Sequence, residues 1–245
     1  MSDARVAVII PCFNHGEFLP DALASVDAQT LGESELVIVD DGSTEAATLD
    51  TLEALTREGR RVVRTENRRL PAARNEGLRH TSAPYVCALD ADDMLAPTWL
   101  EKGAQVLDTR PEITFVSHWL QAFGAEAWEW KPESCDFPTL LAFNTVNGAA
   151  LVRRSALESV GGFDERFTHG CEDWDLWLTL VGRGHRGVIL PEVLFHYRRR
   201  PGSMSRLRLP ESSGPVWTTG SFRSSGTSSP AIGGFGPSRW QLLLS

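Results

Sequence analysis

An open α/β fold, with a mostly parallel central sheet and helices on both faces, is the fold class this sequence predicts. Two observations carry it. Short, continuous apolar runs alternate along the chain with segments of helical period, the pattern of strands joined by crossover helices. The runs are apolar at every position, as strands covered on both faces are. Two of them end abruptly in acids, and the ends of such strands are where open α/β sheets place ligands.

Val6–Ile10 is the first run, ended by Pro11, with Cys12-Phe13-Asn14-His15-Gly16 as the loop that follows. Phe18, Leu19, Ala22, Leu23 and Val26 then recur at helical spacing. Leu36–Val39 is the second strand and runs into Asp40-Asp41-Gly42-Ser43-Thr44. Leu49, Leu52 and Leu55 mark a helix, and Val62-Val63 a short strand. Leu70–His80 reads as a helix with proline near its start, where proline is tolerated.

The next strand, from Val86, ends in Asp90, Asp92 and Asp93, three carboxylates within four residues. Acids so close repel one another unless a cation sits among them, and hard divalent cations take oxygen ligands. A solvated turn capping the next helix accounts for them equally well. That helix runs from about Pro97 to Thr109, and a strand follows at Ile113–Trp119. Residues 120–146 carry Trp128, Trp130, Phe137 and Phe143 without a clear period, and read as a loop-rich region packing a small satellite core. Order returns with a strand at Gly148–Val152, a helix at Ser155–Val160 and another beginning at about Asp173. Gly187–Leu190 and Val193–Phe195 are the last strand segments.

The totals narrow the function. A net charge of −8 with no basic stripe argues against a nucleic-acid partner and suits a protein that recruits a divalent cation. Cys12, Cys87, Cys135 and Cys171 show no metal-site spacing and read as reduced thiols of a cytoplasmic protein. No signal peptide opens the sequence, and no apolar run approaches the roughly 18 residues of a membrane span, so any membrane association is expected to be peripheral. About half of the residues beyond 200 are Gly, Ser or Pro, and 206–245 is expected to be a disordered tail.

Four signatures stand in order: Ile10-Pro-Cys-Phe-Asn14, Val39-Asp40-Asp41-Gly42-Ser43, Leu89-Asp90-Ala-Asp92-Asp93, and Gly161-Gly-Phe-Asp164 with Glu172-Asp173-Trp-Asp175-Leu-Trp177. Together they resemble the family-two glycosyltransferases, inverting enzymes with the GT-A nucleotide-sugar-binding fold. The resemblance covers about residues 1–205. It implies a nucleotide-sugar-binding half over 1–119 and an acceptor and catalytic half over 120–205. It implies a nucleotide-diphosphate sugar as donor, a Mn²⁺ or Mg²⁺ ion, and a carbohydrate, lipid-linked or small-molecule acceptor.

Residue by residue, the resemblance makes Asp92 the metal carboxylate, with His196 completing the shell and Asp90 at the ribose. Asp40 and Asp41 would meet the nucleobase, with Pro11 and Asn14 lining the same pocket, and Arg74 would lie near base and diphosphate. Arg199 would neutralise phosphate. Asp173 is implied as the catalytic base, with Glu172 beside it and Gly162 and Trp174 on the acceptor side. A nucleotidyltransferase would need a glycine-rich, basic loop after the first strand, and Pro11-Cys-Phe-Asn-His15 offers none. A catalytically inactive nucleotide-sugar-binding protein is the alternative that keeps the fold.

Overall fold

The computed structural model describes residues 4–32 and 34–201; the tail expected over 206–245 lies outside the described residues. Strand β1 (Val6–Cys12) pairs in parallel with β2 (Glu35–Asp40) on one side and β4 (Tyr85–Ala88) on the other. Successive side chains of a strand face opposite layers, and both layers here are apolar. Val8 and Ile10 pack with Leu19 and Leu23 of α1 (Leu19–Asp27) and with Trp99 and Leu100 of α4 (Trp99–Thr109). Ile9, Val37 and Val86 pack on the other face with Ala73 of α3 (Leu70–Arg79) and Trp177 of α7 (Glu172–Gly182). Two-sided burial is why these runs are continuous. Each fully buried aliphatic chain contributes about 1.5–3 kcal/mol.

The remaining elements are α2 (Ala46–Arg57), β3 (Val62–Arg64), β5 (Met94–Leu95), β6 (Phe115–Gly124), β7 (Trp128–Trp130), α5 (Phe137–Ala142), β8 (Leu151–Arg153), α6 (Arg154–Ser159) and β9 (Gly187–Arg199). Sheet order is β3-β2-β1-β4-β8-β6-β9-β5, with β7 paired to β6. Most paired positions are parallel, in β3-β2-β1-β4 and between β6 and β9. Strand β8 is antiparallel to both β4 and β6, and joins the two parallel sets.

The strand expected from Gly148 begins only at Leu151, β5 has no counterpart in the sequence expectations, and three larger differences stand beside these. The first strand does not end at Pro11, which pairs with Val39. The β4 ladder stops at Ile9, so one side of β1 is an edge at Pro11, where a missing N–H is tolerated. Residues 120–146 are not mainly loop: β6 continues to Gly124, β7 folds back on it, and α5 follows, capped by the Asp136 carboxylate on Thr139 N at 2.8 Å. Trp128 and Trp130 pack partly buried on the first core, and an aromatic ribbon of this kind gives no clean period. The last two strand segments are one strand, with the exposed Pro191-Glu192 step accommodated by a register shift against β6.

All four cysteines are free thiols, three of them buried and Cys171 exposed. Among the described residues no helix is long and apolar enough to cross a membrane.

Helix α3 lies on β1 at Gly77, where an added Cβ would come within 2.2 Å of Ile9 Cγ2. Ile9 is fully buried and has nowhere to move. Gly77→Ala should therefore destabilise the fold by about 1–3 kcal/mol, despite alanine's better helix propensity. Urea unfolding checks this; an unchanged midpoint would mean that α3 does not seat so closely.

Candidate active site

The carboxyl ends of β1, β2 and β4 open into a cavity of about 560 Å³, closed on its far side by the start of α7 and by β6, β7 and β9. Its apolar wall includes Leu120, Trp130, Phe195 and Tyr197, and its charged wall holds Asp90, Asp92, Glu172 and Asp173.

The loop after β4 divides its three acids by burial. Asp93 is buried and accepts the Arg198 backbone N–H at 2.7 Å, which ties the loop to β9. Burial, and then the neighbouring Asp92 and Asp90 charges, push its carboxyl well above the usual range. Asp92 faces the cavity and takes the Arg200 guanidinium through Nη2 at 2.8 Å and Nε at 2.9 Å. Arg200 also reaches His15 Nε2 at 3.1 Å; burial, followed by the Arg200 charge, lowers the His15 pKa. Asp90 is the most open of the three and accepts from Arg74 Nη2 at 2.9 Å.

Arg74 is 2% exposed and bridges two elements far apart in sequence, because its Nη1 donates to Glu172 Oε1 at 2.7 Å. The Phe163 ring lies 5.3 Å from its guanidinium carbon. Next to Glu172, Asp173 faces the cavity with Oδ2 accepting from Asn144 Nδ2 at 3.2 Å and Oδ1 from Trp174 N at 2.7 Å. Burial and then the Glu172 charge push its carboxyl up to about 7, against the opposing pull of Arg74. That places a carboxylate able to take up a proton near neutral pH on the wall opposite the β4 loop.

The other expected residues are placed as follows. Pro11 and Asp41 line the cavity; Asp40 and Asn14 do not. Asp40 accepts from Ser43 N at 2.8 Å and pairs with Arg64. Both Asp41 oxygens accept backbone N–H groups, of Arg68 and Arg69, each at 2.8 Å. Asn14 Oδ1 accepts from Thr44 N and Glu45 N at the start of α2, whose N-cap Glu45 gives no side-chain capping bond. Gly162, at φ 74°, sits outside the cavity against Asn75, and Trp174 Nε1 donates to Leu140 O. Arg199 pairs with Glu126 at 3.5 Å. His196 stands opposite Met94 in the β5–β9 ladder, between Phe195 and Tyr197, which line the cavity while it does not. Three participants were not expected from the sequence: Arg200, His15 and Asn144. Arg200 is the third of three consecutive arginines, and nothing in such a run says which one turns inward.

A divalent cation suits the donor set that faces the cavity. Asp90 and Asp92 offer hard carboxylate oxygens, and the guanidinium held on Asp92 already marks a cation seat. Among the described residues no three His, Cys, Asp or Glu side chains are close enough to hold an ion by themselves. Two carboxylates completed by substrate phosphates is the arrangement Mg²⁺ commonly adopts.

A doubly covered α/β sheet of this order, with an acid-lined cavity at its strand ends and a helix-borne carboxylate across from them, defines the GT-A class. Within that class the chain belongs to glycosyl transferase family 2, whose model matches residues 7–161; a second model, glycosyltransferase like family 2, matches residues 135–214. EpsE of Bacillus subtilis, named as a candidate glycosyltransferase, is 28% identical over 217 residues, covering 84% of this chain and 77% of that protein. The crystal structure of S. aureus TarS 1–349 in complex with UDP-GlcNAc has a TM-score of 0.66 at 20% identity. The mannosyltransferase PcManGT of Pyrobaculum calidifontis, in complex with GDP-Man and Mn²⁺, has a TM-score of 0.59 at 24% identity. The alignments cover 84% and 80% of this chain, which spans 62% and 57% of those two solved chains.

Two predictions follow from the charges. Arg74→Met leaves Asp90 and Glu172 without their shared counter-charge, and should cost about 3–5 kcal/mol in denaturant unfolding; a loss below about 1 kcal/mol would show that the pair is not truly desolvated. Asp173 titrates near 7 when folded and at 3.8 by its ordinary value. Between those values the folded state holds a proton that the unfolded chain has released, so this group's contribution to stability falls as pH rises through the window. Asp173→Asn should flatten that part of the stability–pH curve; an unchanged slope would place the raised carboxyl elsewhere.

Proposed function

We propose that this protein transfers a sugar from a nucleotide-diphosphate sugar to an acceptor hydroxyl by a single displacement that inverts the anomeric carbon. The observation that carries the reading is the pair of opposed carboxylate sites joined by Arg74, with Asp92 on the β4 side and Asp173 on the α7 side. The half-chains 1–119 and 120–205 correspond to donor and acceptor handling in this reading.

Asp92, with Asp90 beside it, would hold a Mn²⁺ or Mg²⁺ ion, which supplies charge neutralisation for the departing diphosphate. Arg200 would leave Asp92 when a divalent cation arrives, and the freed guanidinium is well suited to a phosphate oxygen. Asp173 accepts the proton of the attacking hydroxyl, and Asn144 and the Trp174 N–H hold the carboxylate in place for it. Its pKa of about 7 leaves it basic enough to take a proton and ionised in a useful fraction at neutral pH. Glu172 is committed to Arg74, so the two adjacent acids divide into one structural and one reactive group. The complexes of TarS with UDP-GlcNAc and of PcManGT with GDP-Man support a nucleotide sugar as donor. The acceptor is a carbohydrate, a lipid-linked sugar or a small molecule, reached from solution or from the membrane face.

The test combines thermal-shift binding of UDP, dTDP, GDP and CDP, each with Mn²⁺ and with chelator, and transfer by Asp173→Asn. A real site raises apparent stability with nucleotide and metal together. Asp173→Asn should keep that shift and lose about 10²–10⁴ in kcat. A shift that ignores chelator would remove the metal, and an unchanged kcat would move the base elsewhere.

A further inference from the structure

Three non-glycine residues have positive φ among the described residues: Asn14, Arg69 and Cys171. Asparagine tolerates such values, and Cys171, with ψ 8°, lies in the left-handed helical well. Arg69 has φ 77° and ψ 167°, a region that glycine alone occupies readily. Asp41 holds the backbone there, because its two oxygens take the N–H groups of Arg68 and Arg69 just before α3 begins. A glycine would satisfy that turn without strain.

The side chain therefore needs a reason. Arg69 is exposed and lines the cavity beside Asp41, Asn67, Pro11 and Phe13. The neighbouring arginines are all committed to carboxylates: Arg64 to Asp40, Arg68 to Glu165, Arg74 to Asp90 and Glu172, Arg200 to Asp92. The Arg69 guanidinium makes no hydrogen bond or ion pair with a described residue. This wall stands at the end of β2, two strands from β4 in the sheet order, hence about 10 Å from the Asp90–Asp92 loop. That is the span from a nucleotide's phosphates to its base.

We infer that Arg69 is a specificity-determining residue for the donor, giving hydrogen bonds to the carbonyl edge of the nucleobase from the position in which Asp41 holds its backbone. The inference rests on the nucleotide-sugar reading above. A guanidinium has five donors and no acceptor. It matches the carbonyl oxygens of uracil, thymine or guanine, and would set donor against donor at the amino group of cytosine or adenine. Backbone strain retained at a ligand wall is where such strain is usually found.

Arg69→Gly and Arg69→Ala, measured in the full chain, test this. Calorimetric titration uses UDP, GDP, CDP, ADP and pyrophosphate, each with Mn²⁺, and melting is followed without ligand. Arg69→Gly should raise Tm by about 2–8 °C and weaken the preferred keto-base nucleotide about tenfold or more, leaving pyrophosphate affinity unchanged. Arg69→Ala should weaken the nucleotide equally with no gain in Tm, since alanine keeps the strain. Retained nucleotide affinity in Arg69→Gly would overturn the assignment while leaving the site's function standing. Equal weakening of pyrophosphate would give Arg69 to the phosphates instead, and a wild-type preference for CDP or ADP would refute the base edge. Wild-type protein that binds none of the nucleotides would bring down the nucleotide-sugar reading and this inference with it.

Discussion

One buried guanidinium sets the geometry of the cavity. Arg74 comes from α3, and its two partners come from the β4 loop and from the first turn of α7. A desolvated cation is tolerated only where opposite charge meets it at close range. Asp90 and Glu172 are therefore held where they are by the cost of leaving Arg74 alone. The pairing fixes the separation between the two walls, one carrying Asp92 and the other Asp173, and neither wall can shift without uncovering the guanidinium. Gly148 belongs to the same constraint, since a Cβ there would approach Arg74 Nη2 to 3.2 Å.

The same cation tempers the chemistry it positions. Desolvation and Glu172 both drive the Asp173 carboxyl upward, and Arg74 is the charge that pulls it back. By pairing directly with Glu172, Arg74 also screens the neighbour that would otherwise repel an ionised Asp173 most strongly. The start of α7 adds a favourable helix dipole for both acids. Burial supplies a raised pKa, and the buried ion pair keeps it from rising beyond use.

How much of this was legible depended on whether a feature is local. Val6–Ile10, Leu36–Val39 and the run at Val86 were readable as strands because two-sided burial makes every position apolar. The helices α1 and α2 were readable from their apolar period, and α3 from a proline placed near its start. The β6–β7 ribbon was not, since its aromatic residues pack on one core through a short antiparallel turn rather than a sustained alternation. The acids of the site were visible as positions, but their partners were not. Arg74 could be singled out, yet nothing near it in sequence pointed to Glu172, 98 residues away. Arg198, Arg199 and Arg200 are indistinguishable as a string, and the fold sends them to Asp21, Glu126 and Asp92 in turn.

The acidic strand ends show why motif position and side-chain role are separate questions. At β2 both carboxylates are occupied by the protein: Asp40 closes its own turn onto Ser43, and Asp41 fastens the loop that starts α3. At β4 the three acids split, with Asp93 fastening the loop to β9, Asp90 matched to Arg74, and Asp92 facing the cavity against the Arg200 guanidinium. In each loop a carboxylate that accepts backbone N–H groups builds the wall that displays another group. Asp93 builds the display of Asp92, and Asp41 that of Arg69. An acid spent on the backbone thus contributes to the site through what it holds in place, and its chemistry has to be sought one residue or one loop away.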